Sequence, residues 1–246
     1  MFRSEDFVSF KFYAVSTGPS GPDFITLGAV RAVSRARAVF YPVTGSGGGE
    51  SHIAFDCVRE AVDLSGKKCV PVRFSMTRDG KRTELEYEGL SRMVASELAF
   101  GDVAFVSIGD VSVYSTAARI SSLVASLGFE CVFVPGVASF SAAACACTMD
   151  LASAGREIRI VPGDASFESG ALQSFIADAD AKVIMKSPRH LSEIVALVVS
   201  SGLSSRAALV QKAGGEGQRI FSGDELSRLP SPLEDSYMSV LLIKSL

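Results

Sequence analysis

The chain has few of the residues that hold metal ions or form disulfides. Its 246 residues include two histidines and five cysteines. The two closest cysteines, Cys145 and Cys147, are spaced C-x-C, and no C-x-x-C pair occurs. Zinc sites and disulfide frameworks need clustered ligands at characteristic spacings. We therefore predict no metal site, a reducing compartment, and cysteines that serve as small apolar core residues.

The chain also lacks the long apolar run of a membrane span and the basic start of a signal peptide. Glu5 and Asp6 stand where a secretory signal would carry basic residues. The longest charge-free stretch, Cys131–Met149, is interrupted by Pro135 and Gly136, so it predicts a strand, a turn and a helix. We expect a cytoplasmic protein with no membrane partner. The net charge of -3 gives no reason to expect a nucleic-acid partner.

Three common motifs of catalysis or nucleotide binding are absent. The turn after the first predicted strand, Ser16–Thr26, has neither the Gly-Lys-Ser/Thr of a P-loop nor the G-x-G-x-x-G of a dinucleotide fold. No acidic residue follows the second predicted strand to hold a ribose. The G-x-S-x-G elbow is missing as well. These absences argue against a P-loop enzyme, a nicotinamide enzyme and a serine hydrolase.

The first half of the chain alternates short β-rich runs with helix-length segments. Five strands are predicted there: Phe10–Ser16, Ala38–Val43, Lys68–Phe74, Asp102–Gly109 and Cys131–Pro135. Strands that alternate with helices form parallel sheets covered on both faces. We therefore predict an α/β fold with a mainly parallel five-stranded sheet and helices on both faces.

The pattern changes after Val134. A long loop is predicted over residues 214–236, and segments of mixed length separate four further strands: Arg156–Pro162, Ala181–Ser187, Ala207–Ala213 and Tyr237–Ser245. We predict an N-terminal α/β domain over residues 1–134 and a C-terminal α+β domain with a mixed sheet over residues 135–246. The active site is expected in the cleft between them.

Turns rich in glycine and proline follow the first, fourth and fifth predicted strands. They are Ser16–Thr26, Ser107–Thr116 and Pro135–Ala144. Tight turns need glycine and proline in any case, so each one alone indicates little. Ligands of parallel sheets, however, collect at the carboxyl ends of strands. Together the three turns predict one ligand crevice.

Five segments, in chain order, match the motifs of a known family. They are Gly18–Thr26 (through Gly18, Pro19, Pro22 and Thr26), Gly109–Asp110, Val134–Ala144, the strand around Met185, and Lys212–Phe221. The first fits G-x-G-P-G-D-P-x-x-x-T, the second a strand ending in G-D-P, and the third a V-P-G turn before an alanine-rich helix. On these motifs the chain resembles the tetrapyrrole (corrin/porphyrin) methyltransferases over nearly its whole length.

Four shorter segments resemble one branch of that family, the precorrin-2 C(20)-methyltransferases. They are Phe40–Pro42, Arg73–Asp79, Tyr114–Ala117 and Tyr237–Lys244. The resemblance implies C-methylation of a tetrapyrrole, precorrin-2 or cobalt-factor II at C(20), in cobalamin (vitamin B12) biosynthesis. It implies S-adenosyl-L-methionine as cofactor, S-adenosyl-L-homocysteine as product, the family's two-domain fold and a homodimer.

The chain departs from the family pattern at its first turn. Ser20 and Gly21 stand where the family has Gly-Asp, so the carboxylate of that turn is missing; Val111 also replaces the proline of G-D-P. Two alternatives stay open. The chain is a diverged protein of this fold, weakly active or inactive, that binds the cofactor, or it methylates another ring position.

The resemblance also implies the site residues. The expected cofactor-binding residues are Pro19, Ile108, Gly109, Asp110, Val113, Ser115, Thr116, Ala138, Ser139, Met185 and Ala213. The expected substrate-binding residues are Arg73, Arg78, Arg82 and Tyr114, because guanidinium groups suit the carboxylates of a tetrapyrrole. Methyl transfer from a sulfonium needs positioning more than a protein nucleophile. No general base stands out, and no catalytic residue is named.

Overall fold

The computed structural model describes residues 10–45, 51–75, 80–233 and 236–246. Contacts along the backbone divide the chain after Ala138, so that the residues up to Ala138 form one compact unit and Ser139–Leu246 form another. Each unit contains a five-stranded sheet.

The sheet of the first unit is parallel throughout. Its strands are β1 (Lys11–Ser16), β2 (Ala38–Val43), β3 (Lys68–Arg73), β4 (Val103–Ser107) and β5 (Glu130–Val134). Their order across the sheet is β3-β2-β4-β1-β5. The first, fourth and fifth strands in the chain are therefore neighbours, with β1 in the middle.

Four helices cover the two faces of this sheet: α1 (Leu27–Arg35), α2 (Ile53–Ala61), α3 (Gly80–Leu98) and α4 (Thr116–Ser126). Successive side chains of a strand point to opposite faces. Phe12 accordingly belongs to the buried cluster that includes Leu90 of α3 and Ile120 of α4. Its neighbour Tyr13 belongs to a second cluster, which includes Val33 of α1.

The sheet of the second unit is mixed. Its strands are β6 (Ile158–Pro162), β7 (Ala181–Met185), β8 (Ala207–Gln211), β9 (Arg219–Ser222) and β10 (Ser239–Ile243). The order is β6-β7-β10-β8-β9. β6 and β7 are parallel, whereas β10 is antiparallel to both β7 and β8, and β9 is antiparallel to β8.

The helices of the second unit are α5 (Ser139–Ala146), α6 (Gly163–Glu168), α7 (Leu172–Ile176) and α8 (Leu191–Ser200). One buried cluster joins Leu172 and Ile194 of the helices to Leu209 and Leu241 of the sheet. α5 packs against β10. None of the helices in the described part of the chain combines the length and the hydropathy that crossing a bilayer requires.

The two sheets confirm the predicted fold class, but the loop predicted over residues 214–236 is wrong. It contains the edge strand β9 and a 3₁₀ helix, Gly223–Arg228. Three of the four residues of β9 are exposed, so the strand lacks the buried alternation that identifies strands in a sequence. The 3₁₀ helix begins with a capping box formed by Ser222 and Glu225.

The cysteines follow the sequence interpretation in part. All five are unpaired thiols. Cys57 is buried, and burial raises the pKa of its thiol to about 11. Cys145 is exposed, so the prediction of a core role is wrong for that residue.

Candidate functional site

The turns that follow β1 and β4 are joined by their backbones. The amide of Thr17 donates to the carbonyl of Ser107 at 2.9 Å, and the amide of Gly109 donates to the carbonyl of Gly18 at 2.7 Å. The hydroxyl of Ser16, at the end of β1, accepts a hydrogen bond from the amide of Val111 at 3.0 Å. The two turns therefore act as one rigid surface at the carboxyl edge of the sheet.

Asp110 ties this surface to the turn after β5. One carboxylate oxygen accepts from the amide of Gly136 at 2.8 Å, and the other accepts from the amide of Ser112 at 2.8 Å and from the Ser112 hydroxyl. Partial burial of Asp110 opposes ionisation, but these hydrogen bonds outweigh it and hold the pKa of the carboxyl below its ordinary value. An ionised Asp110 thus links the second turn to the third, and the backbone bonds link the second to the first. The three turns therefore lie together at one edge of the sheet, as the sequence predicts for their positions.

Two glycines allow the turns to pack tightly, Gly18 within the first turn and Gly136 between turns. Gly18 has a left-handed φ of 81°, and a Cβ there would lie 2.4 Å from the Cβ of Phe24. A Cβ on Gly136 would lie 2.4 Å from the Cβ of Ser16 and 3.0 Å from the carbonyl oxygen of Gly109. A larger residue at Gly18 would distort the first turn, and one at Gly136 would push the third turn away from the other two.

All eight expected cofactor residues of the first unit lie in these turns: Pro19, Ile108, Gly109, Asp110, Val113, Ser115, Thr116 and Ala138. Ser115 is the N-cap of α4, because its hydroxyl accepts from the amide of Ala117 at 3.1 Å. Its side chain is therefore already used to begin the helix. Ser139 is the first residue of α5, in the second unit.

The other two expected cofactor residues lie at one edge of the second sheet. β7 and β8 flank β10 and both run antiparallel to it, so they end at the same edge. Met185 is the last residue of β7, and Ala213 follows β8 by two residues and is buried. The two strand ends are two strand spacings apart, which is about 10 Å.

Unusual backbone conformations mark both sets of residues. In the described part of the chain, four residues other than glycine have a left-handed φ: Tyr114 (48°), Thr148 (50°), Lys186 (58°) and Lys212 (51°). Tyr114 is itself an expected site residue, Lys186 follows Met185, and Lys212 precedes Ala213. Such conformations cost about 1–3 kcal/mol and concentrate at ligand sites. Neither lysine is among the expected site residues, although both lie in segments that carry the family resemblance.

The expected substrate residues are placed less closely together. Tyr114 lies in the turn after β4 and is half exposed. Arg73 ends the edge strand β3, two strands away from β4. Arg82 lies in the first turn of α3 with its Nε 3.6 Å from a carboxylate oxygen of Glu86. Arg78 lies outside the described residues.

The turn after β4 leaves room for a ligand beside its backbone. Apart from its two chain neighbours, no atom of the described residues would lie within 4 Å of a Cβ placed on Gly109, whose φ is 76°. A small ligand can therefore approach the backbone of residues 108–110, which fits a cofactor held by main-chain groups. Within the described ranges, no group of three or more His, Cys, Asp or Glu side chains is placed to hold a metal ion.

Comparison with known proteins shows which family the chain matches. Residues 11–227 match the family described as Tetrapyrrole (Corrin/Porphyrin) Methylases. A probable cobalt-precorrin-2 C(20)-methyltransferase of Methanocaldococcus jannaschii is 28% identical over 95% of this chain and 96% of its own. A cobalt-precorrin-2 C(20)-methyltransferase of Salmonella typhimurium is 28% identical over 86% of this chain and 87% of its own.

Two solved structures share the fold. A cobalt-precorrin-4 methyltransferase has a TM-score of 0.70 at 18% identity, covering 95% of this chain and 94% of its own. A uroporphyrin-III C-methyltransferase from Thermus thermophilus, in complex with S-adenosylhomocysteine, has a TM-score of 0.67 at 20% identity, covering 95% of this chain and 97% of its own.

Proposed function

Because this chain belongs to the tetrapyrrole (corrin/porphyrin) methylases, we propose that it methylates a tetrapyrrole carbon in cobalamin biosynthesis, with precorrin-2 or cobalt-factor II as acceptor and C(20) as the position. Membership of the family makes it a methyltransferase with a cofactor of the S-adenosylmethionine type. The observation that carries the proposal is the joined surface of three turns, since it offers backbone groups and open space beside Gly109.

S-adenosyl-L-methionine, when bound, supplies an activated methyl group on a sulfonium. The chain's part is to hold donor and acceptor in line, which can contribute roughly 7–11 kcal/mol to catalysis in favourable cases. We assign the backbone of residues 108–110 and Val113 to the methionine part of the donor. Pro19 shapes the floor, Ala138 and Ser139 approach the carboxylate or ribose, and Met185 and Ala213 frame the adenine.

The acceptor carries several acetate and propionate arms, which need cationic partners. Arg73 and Tyr114 are the proposed contacts on the described part of the chain, and Arg78 is retained from the sequence. Arg82 contributes less in this proposal, because Glu86 partly neutralises its guanidinium. No side chain is proposed as a general base. We also propose a homodimer in the cytoplasm; its mass can be measured by light scattering after gel filtration.

One observation favours a second candidate, a cofactor-binding protein of this fold without turnover. Gly21 is buried at the start of the 3₁₀ helix Pro22–Phe24, where the family has an acid, and the nearby Asp23 is exposed. The first turn therefore offers no carboxylate from inside the surface of three turns. A loss of turnover with retained cofactor binding would fit this departure.

The deciding experiment is mass spectrometry after incubation with S-adenosyl-L-methionine and either precorrin-2 or cobalt-factor II. The expected product has gained one methyl group, at C(20) by NMR. A methyl group at another carbon overturns the ring position alone. Cofactor binding by calorimetry without a product on either acceptor supports the second candidate, and no cofactor binding excludes both.

A further inference from the structure

The turn between β7 and α8, residues 186–190, begins with a lysine in a conformation that favours glycine. Lys186 has a φ of 58° and directly follows Met185 at the sheet edge. Glycine adopts this conformation without the steric cost that a side chain brings. The presence of a long cationic side chain here is therefore not explained by the backbone.

Asp164, at the start of α6, holds this turn at both ends. Its amide donates to the carbonyl of Lys186 at 3.3 Å. Its buried carboxylate accepts from the amide and the Nε of Arg189, at 3.3 and 3.1 Å, and from the amide of His190 at 3.1 Å. Because several charge-assisted hydrogen bonds fix the turn, Lys186 projects from a rigid base.

Gly163 allows the same turn to pack tightly against the end of β6. A Cβ on Gly163 would lie 2.0 Å from the hydroxyl oxygen of Ser187 and 2.8 Å from Ile184. Ser187 is buried. The position of Lys186 is thus determined by packing on one side and by hydrogen bonds on the other.

Within the described ranges, the ammonium of Lys186 has no counter-charge. Its side chain is exposed, yet the surrounding protein removes enough water to lower the pKa of Lys186. Among the residues that the structure describes, no carboxylate pairs with this ammonium. Tyr237 lies just before β10 at the same sheet edge. Its side chain is 49% exposed, and the partial burial of the side chain raises the pKa of its hydroxyl. Because the ammonium has lost part of its hydration and no described carboxylate pairs with it, an anion that binds here gains a charge-assisted hydrogen bond.

We propose that the Lys186 ammonium binds a carboxylate arm of the tetrapyrrole acceptor. This inference rests on the proposed function for the identity of the acceptor. The donor carries a carboxylate too, but at the opposite end of the molecule from its adenine. Since Met185, the neighbour of Lys186, is assigned to the adenine, the acceptor is the source of the carboxylate that reaches this lysine.

The test compares Lys186→Met with Lys186→Arg in the full-length protein. We expect Lys186→Met to raise KM for cobalt-factor II about tenfold or more, which corresponds to losing a hydrogen bond to a charged group. The Kd of S-adenosyl-L-homocysteine, measured by calorimetry, stays unchanged. Lys186→Arg keeps most of the affinity. Lys244→Met removes the same charge beyond the far end of β10 and should behave as wild type.

A structural role is distinguished by Lys186→Gly. This variant relieves the left-handed strain, so its Tm should equal or exceed that of wild type while its KM rises as in Lys186→Met. A lower Tm with an unchanged KM overturns the proposal. So does an unchanged KM in Lys186→Met, or a weaker Kd for S-adenosyl-L-homocysteine without a change in KM, which would assign the carboxylate to the donor.

A failure of the proposed function gives a different result. If wild type produces no methylated product, equilibrium binding of cobalt-factor II, followed by absorbance with S-adenosyl-L-homocysteine present, replaces KM. Weaker binding in Lys186→Met but not in Lys244→Met then supports the lysine contact although the methylation proposal fails. Equal binding in all variants, or no binding to wild type, overturns the lysine contact.

Discussion

Gly136 lies where the third turn of the candidate site packs against the first and second turns. A methyl group there would lie 2.4 Å from the Cβ of Ser16 and 3.0 Å from the carbonyl oxygen of Gly109. We expect Gly136→Ala to destabilise the fold by about 1–3 kcal/mol, as overpacking does. Because the displaced turns would misplace the cofactor, S-adenosyl-L-homocysteine should bind roughly tenfold more weakly. Urea unfolding and calorimetry measure the two effects.

Gly89→Ala is the matched control for this substitution. Gly89 lies within α3, and beyond the backbone of its own helix no atom of the described residues would lie within 4 Å of a Cβ there. Alanine in a helix interior is more stable than glycine by about 0.5–1 kcal/mol. This variant should therefore gain stability and keep its cofactor affinity. Wild-type affinity in Gly136→Ala would show that the packing of the three turns is not needed for cofactor binding.

For single residues, the sequence predicts the positions of turns better than it predicts the contacts that side chains make. Gly18 and Gly136 are recognisable because tight turns restrict the choice of residue. The hydrogen bond from Gly136 to Asp110, which joins two turns, cannot be recognised in the sequence, since it depends on which strands become neighbours. The conformation of Lys186 is even harder to predict from the sequence, because it is fixed by Asp164 and Gly163, which are distant in the chain.

The carboxylate of Glu97 links α3 to the sheet by ion pairs. Glu97, near the end of the helix and mostly buried, pairs with Arg37 at 2.8 Å and with Lys68 at 2.6 Å. The hydrogen bond from Lys68, and after it the charges of Lys68 and Arg37, hold the pKa of Glu97 below its ordinary value despite the opposing effect of burial. The three residues join α3 to the start of β3 and to the chain just before β2.

This arrangement predicts a pH-dependent contribution to stability. A carboxyl whose pKa is lowered by folding adds to the free energy of unfolding. The contribution is complete above the pKa of the unfolded chain, about 4.3, and it is lost as the pH falls through the pKa of the folded state. Glu97→Gln should therefore be less stable than wild type by about 0.5–1 kcal/mol at pH 7. The two should converge in acid, which urea unfolding from pH 7 to pH 3 measures.

Glu88→Gln, in the same helix, is the control for the pH dependence of stability in Glu97→Gln. Glu88 pairs with Arg92 along the helix surface, and the side chains of both are exposed. Exposed pairs of this spacing contribute about 0.3–0.5 kcal/mol at most. Its curve should run close to wild type at every pH. A gap between Glu97→Gln and wild type that does not shrink in acid would contradict the assigned role of Glu97.

At the scale of elements, burial decides what a sequence reveals. β1 and β4 are recognisable because nearly all of their residues are apolar and buried. The first turns of α3 are hard to recognise, because residues 80–86 are mostly polar, show no apolar period and contain no buried residue, the first being Leu90. β9 is missed for the same reason, as an exposed edge strand.

The alternation of strands and helices determines more of the whole molecule than any single motif does. Five strands with intervening helices leave a parallel sheet as the favoured solution, because right-handed crossovers place the helices on both faces. The order β3-β2-β4-β1-β5 does not follow from alternation alone. The glycine-rich turns after β1, β4 and β5 carry that information indirectly, since only neighbouring strands can present them at one place.

The first unit forms both of its hydrophobic cores from its own residues. One joins Phe12 to Leu90 and Ile120, and the other joins Tyr13 to Val33. A fragment of residues 1–138 should therefore fold alone, with a single cooperative urea transition and a free energy of unfolding within about 5–15 kcal/mol. A fragment of residues 1–115 lacks α4 and β5, so it exposes one face of β1 and should bind the dye ANS without cooperative unfolding. If the longer fragment also unfolds without cooperativity, its cores are not sufficient, and the chain folds only as a whole.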